Sequence, residues 1–114
     1  MNDVANACIS EKLDDYTLVR VRGEVDLSWS QQVRRAILDA LGASAKVGVE
    51  LSQVSYIDSS GIAALVEGFQ NARGKGQQFG LIGASKPVMA VLQLARLDKV
   101  FPLFPDLDAA RAAG

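Results

Sequence analysis

Apolar positions along the chain switch between a period of two and a period near 3.6, and each switch marks a change from strand to helix. Ile9 to Leu13 and Tyr16 to Gly23 read as two strands joined at Asp14-Asp15, with Leu18, Val19 and Val21 as strand formers and Gly23 as the closing turn residue. Ser28 or Ser30 can cap a helix whose stripe is Val33, Ala36, Ile37, Ala40 and Leu41; Arg34, Arg35 and Asp39 lie outside the stripe, and Gly42 ends it. Lys46 to Leu51 alternates, Val54 to Ile57 resumes the apolar run, and the run stops at Asp58-Ser59-Ser60-Gly61. Ile62, Leu65, Val66 and Phe69 then recur at helical spacing, with Glu67, Gln70 and Asn71 on the wet side and Gly74 and Gly76 closing the helix.

Gln78 to Gly83 forms a short strand, and Ser85 with Pro87 opens a helix carrying Val88, Val91, Leu92 and Ala95 on one face. Leu97 to Phe104 returns to the sheet as a last strand that Pro102 and Pro105 confine to an edge, and Asp106 or Asp108 caps a terminal helix through Ala112. The order β-β-α-β-α-β-α-β-α defines an α/β domain, a mixed and mostly parallel sheet of about five strands with about four helices. In such sheets, ligands and partners are met where strands give way to helices. Asp58 to Gly61 occupies one of these junctions.

At 114 residues, residues 1–114 are expected to form a single domain. Twelve basic residues against thirteen acidic ones leave no positive excess to neutralise phosphates, which argues against nucleic acid as a ligand. No apolar run reaches the roughly 18 residues of a membrane span, and Met1 to Ser10 lacks the basic start and apolar stretch of a signal peptide, so a cytoplasmic location without membrane insertion is expected. Histidine is absent, which removes His-dependent hydrolase triads, His-ligated metal sites and phosphohistidine relays together; no cofactor or metal is expected. Cys8, the single cysteine, is expected to be a small buried strand residue.

A helix N-terminus leaves four backbone N–H groups unpaired and concentrates about half a positive charge. A hydroxyl held there can accept a phosphate whose dianion is stabilised in place, and Ser59 stands at such a position. Gly61 keeps the turn free of a side chain, which would let another protein's active site approach. The plainer reading is that Asp58, Ser59 or Ser60 caps the helix. Three successive candidates, with no Glu or Gln three positions on to complete a capping box, exceed what a cap requires.

Val49-Glu50-Leu51-Ser52 through Val54 and Tyr56 to Ile57-Asp58-Ser59-Ser60-Gly61-Ile62 closely resembles the central signature of the STAS family of bacterial anti-sigma factor antagonists. Gly23-Glu24-Val25-Asp26 is similar to that family's turn after its second strand, and Leu94 to Phe101 to the segment after its third helix. The resemblance spans about Ile9 to Ala110 and implies a STAS-like fold. It further implies a non-enzymatic partner switch, in which a serine kinase that is also the anti-sigma factor binds the unmodified chain and phosphorylates Ser59, and a metal-dependent serine phosphatase reverses the modification. By the same resemblance Asp26, Asp58, Ser60 and Gly61 belong to the partner-binding surface. Ile62-Ala63-Ala64-Leu65 departs from the bulkier or glycine-containing string common in the family, which bears on partner identity.

The competing expectation is a STAS subunit of a lipid-transporting ABC complex. A phosphate-processing enzyme is a third, but the sequence offers neither a tuned base nor a metal cluster for it. Trp29 is expected to be half-buried rather than an exposed anchor, Arg34 and Arg35 to be solvated, and Gly74-Lys75-Gly76 to be a turn rather than a phosphate loop.

Overall fold

The computed structural model describes residues 6–113; the first five residues, part of the segment read above as lacking a leader, lie outside them. Its elements run β1 (Ala7–Lys12), β2 (Thr17–Val25), α1 (Ser30–Ala43), β3 (Lys46–Ile57), α2 (Ser59–Gly74), β4 (Gln78–Ile82), α3 (Lys86–Leu94), β5 (Leu103–Phe104) and α4 (Leu107–Ala113). The five strands form one sheet in sequence order; β1 is antiparallel to β2, and every later neighbour is parallel. The α/β, mostly parallel architecture expected from the hydrophobic pattern is therefore present.

Alternation along the strands sorts side chains between two layers. Val19, Val21, Val47, Val49, Phe79 and Leu81 face a core shared with Val33, Ile37 and Leu41 of α1, Ile62 and Leu65 of α2, and Val88 and Leu92 of α3. Leu18 and Ile82 face the other way and meet Tyr16 and Ala110, so that α4 covers part of the opposite face. Phe69, Phe79 and Phe101 stack obliquely at the base of the main core, with ring centroids 5.5 to 6.5 Å apart.

Four local expectations need correction. The second strand does not close at Gly23 but runs to Val25; the left-handed φ of +92° at Gly23 lets the Asn6 side chain come close, and its Oδ1 accepts a hydrogen bond from the Glu24 amide at 2.8 Å. Neither Ser28 nor Ser30 caps α1, whose N-cap is Trp29 without a side-chain cap bond, and the helix continues past Gly42 to Ala43. β3 is one continuous strand, and the apparent break after Leu51 is irregular pairing: its register with β2 shifts between Arg20 and Arg22 and again between Gly23 and Glu24. Each extra residue reverses which face the strand presents, so Leu51, Val54 and Ile57 are all buried at a spacing of three. The last strand shrinks from Leu97–Phe104 to Leu103–Phe104, because Arg96 adopts φ +61° and the amides of Val100 and Phe101 turn back to the Leu97 carbonyl. It does occupy the sheet edge.

Cys8 is half-buried on β1, and burial pushes its thiol up to about 11.

The glycines of α1 and α2 supply a paired test. A Cβ at Gly68 would lie 2.5 Å from Ile37 Cγ2 and 3.1 Å from the Phe79 ring, whereas a Cβ at Gly42 meets nothing within 4 Å. Gly68→Ala should lower stability by about 1–3 kcal/mol through overpacking, and Gly42→Ala should raise it by about 0.5–1 kcal/mol through helix propensity. Urea denaturation of the two variants checks the opposite signs, and a stabilised Gly68→Ala chain would contradict the packing described.

Candidate functional site

β2 and β3 end level with each other. Val25 and Ile57 are their last registered pair, and the Asp58 amide donates to the Val25 carbonyl at 3.2 Å. Asp58 is still extended (φ −109°, ψ −172°) and is the N-cap of α2. Its Oδ1 accepts from the amides of Ser60 at 2.9 Å and Gly61 at 3.2 Å and from the Ser60 hydroxyl at 2.6 Å, while its carbonyl accepts the first helical bond, from the Ile62 amide at 3.0 Å. Of the three cap candidates in the plainer reading, Asp58 is the one that caps α2. The Asp58 carboxylate already occupies two of the amides, and among the described residues the Ser59 amide is the one in this turn without a partner. The Ser60 hydroxyl, and then the Gly61, Ser60 and Leu27 amides, hold the Asp58 carboxyl below the usual carboxylate range against a partial loss of hydration.

This arrangement separates two serines that composition cannot distinguish. Ser60 is half-buried with its hydroxyl committed to Asp58. Ser59 is exposed on the first residue of the helix, and among the described residues its hydroxyl has no partner.

The missing side chain of Gly61 serves packing within the chain, where the sequence reading took it as an opening for another protein. It is buried, and a Cβ there would stand 2.6 Å from Ile57 Cγ1, 2.8 Å from Val25 Cγ1 and 3.0 Å from the Val25 carbonyl oxygen. The glycine lets the first turn of α2 lie against the ends of both strands.

Asp26 follows Val25 directly and so stands beside the same junction. Its Oδ1 accepts from the Ser28 amide at 3.0 Å and the Ser28 hydroxyl at 2.6 Å, and its carbonyl accepts from the Trp29 and Ser30 amides at 3.0 and 2.8 Å. Asp26 therefore organises the entry to α1, the task the sequence pattern had assigned to a serine cap. Between these anchors Leu27 is 74% exposed. Sequence reasoning passed over it, since one leucine in a polar loop carries no periodic signal. Trp29 packs half-buried against the core, as expected, and its Nε1 is buried without a partner among the described residues.

Of the two arginines expected to be solvated, Arg35 is exposed, whereas Arg34 makes a two-pronged contact with Glu67 at 2.7 and 2.8 Å that ties α1 to α2. Lys75 caps the C-terminus of α2 in a turn completed by Gly76 at φ +69°, as expected.

A family model for the STAS domain matches residues 8–110, a span that includes the strand-to-helix junction, and the chain belongs to that family. It is similar to a crystallised anti-sigma factor antagonist from Mycobacterium paratuberculosis, at 30% identity and a TM-score of 0.84 over 96% of this chain and 93% of that one. It is 24% identical to the anti-sigma-B factor antagonist of Listeria monocytogenes over 83% of this chain and 84% of that protein. The fold also matches a Bacillus cell fate determinant solved in its phosphorylated form, with a TM-score of 0.72 and 21% identity over 95% of this chain and all of that one. Among the described residues, no helix is long and apolar enough to cross a membrane.

Because the folded Asp58 carboxyl titrates below its unfolded value, the cap's stabilisation is complete above about pH 4 and is lost as acid protonates it. Asp58→Ala should cost about 1 kcal/mol at neutral pH, and Asp58→Asn, which keeps a capping oxygen without the charge, should lose less stability than the wild type as pH falls through that range. Thermal melts from neutral to acidic pH check both, and identical acid slopes for wild type and Asp58→Asn would refute this account of the charge.

Proposed function

We propose that residues 1–114 act as a single-domain, non-enzymatic anti-sigma factor antagonist, controlled by phosphorylation of Ser59. In this reading the unmodified junction binds an anti-sigma factor that is also a serine kinase, displacing what that kinase held, and a metal-dependent serine phosphatase restores the bound form. The observation that carries it is the contrast at the start of α2: Ser59 exposes an uncommitted hydroxyl, while the Ser60 hydroxyl is held by Asp58 at 2.6 Å. Membership of the STAS domain family and likeness to anti-sigma factor antagonists support the same assignment.

The switch needs no refolding. A phosphate brings about −1.5 to −2 charges to a surface that already carries Asp58 and Asp26, and among the described residues the Ser59 amide is the one in this turn left to receive it. A like charge met across the interface, or a dianion desolvated there without a partner, that costs about 2–4 kcal/mol weakens binding roughly 30- to 1000-fold. Asp26, Asp58 and Ser60 serve the interface by holding its two loops in place, and Gly61 serves it from beneath.

Incubation with the kinase and ATP followed by mass-spectrometric mapping should place phosphate on Ser59 in the wild type and in Ser60→Ala, and none in Ser59→Ala. Ser59→Glu should bind the kinase at least about 30-fold more weakly than the wild type. Normal labelling of Ser59→Ala would overturn the site, and co-purification with a permease and an ATPase in place of a soluble kinase would replace the function with that of a transport-complex subunit.

A further inference from the structure

Leu27 presents a large apolar side chain from a fixed loop beside the junction. It is 74% exposed, yet its backbone is fixed on both sides: Asp26 binds the Ser28 amide and hydroxyl through its carboxylate and the Trp29 and Ser30 amides through its carbonyl. The Asp58 amide donates to the Val25 carbonyl at 3.2 Å, two residues before Leu27, which puts this loop beside the start of α2. A leucine presented on a rigid turn loses little conformational freedom when a partner covers it, so most of its burial energy goes into binding. Neither Val25–Ser30 nor Ile57–Ile62 contains a lysine or arginine, and together they carry Asp26 and Asp58.

We infer that Leu27 is the apolar anchor of the partner interface, entering a hydrophobic pocket on the kinase that lies beside its phosphoryl-donor site. This rests on the reading of the Ser59 face as the kinase-binding surface. The anchor and the serine divide the work: Leu27 supplies affinity through apolar contact that is indifferent to salt, and Ser59 supplies the charge that cancels it. Leu27 contributes equally to holding the ground state and the transition state of phosphoryl transfer, so its loss raises KM for this chain as a kinase substrate and leaves kcat in place.

The test is calorimetric titration and steady-state phosphorylation with the purified anti-sigma factor kinase of the same organism. Leu27→Ala should weaken binding about 10- to 100-fold and raise KM in parallel, with an unchanged thermal midpoint. Leu27→Met should stay within a few-fold of the wild type. Leu94, which is 87% exposed at the far end of α3, supplies the control, and Leu94→Ala should bind as the wild type does. A photo-cross-linking residue at position 27 should join the kinase. If Leu27→Ala binds within two-fold of the wild type while Ser59→Glu still abolishes binding, the anchor is refuted and the phosphorylation switch stands. If the kinase neither binds nor labels the wild type, both fall together.

Discussion

The site depends on how closely a helix can begin against the ends of two strands. Val25 and Ile57 finish side by side, the Asp58 amide is bonded across to the Val25 carbonyl, and α2 starts at once, with Gly61 turned down onto both strand ends. Any side chain on residue 61 would push the helix away from the sheet. That displacement would part Asp58 from the amides it caps and move the two serines relative to the Asp26 loop. The core supports this contact from below, since Ile62 and Leu65 seat α2 against Val25, Val54 and Ile57.

Above it a single carboxylate sorts the chemistry. Asp58 gathers two amides and one hydroxyl, which completes the cap, and in doing so it removes Ser60 from use while leaving Ser59 outside the network. Structural and functional readings of this cluster are therefore not rivals: the cap creates the difference between the serines. Asp26 does the same for the neighbouring loop, closing on Ser28 and leaving Leu27 projecting. In both loops an aspartate satisfies the backbone and the following residue is left available.

Much of this could be read from the chain. Periodicity located each helix stripe and strand, and the abrupt stop at Asp58 located the junction. Two kinds of feature stayed hidden, for different physical reasons. The irregular pairing of β3 with β2 imitates a break in the strand, because an inserted residue reverses the alternation on which strand reading relies. Gly61 and Leu27 depend on what lies across space: glycine in a turn suggests openness until the Val25 and Ile57 side chains are placed against it, and a leucine among polar residues has no meaning until its loop is seen to be fixed. The edge strand was overdrawn because Leu97 and Phe101 look like strand residues, although they serve a tight turn that folds Phe101 into the aromatic cluster.

β3 pairs with β4 only over Lys46–Glu50, so its outer half stands on β2 alone, met from the other side by the Ser85 hydroxyl on the Val54 carbonyl. The junction therefore lies beyond the last β3–β4 pair, at the tip of β2 and β3. A charge placed at this tip alters a local field that fades over about 8 Å at physiological salt. In the proposed switch such a charge is sensed by a protein pressed against the junction, so the record of a modification resides in which encounters succeed.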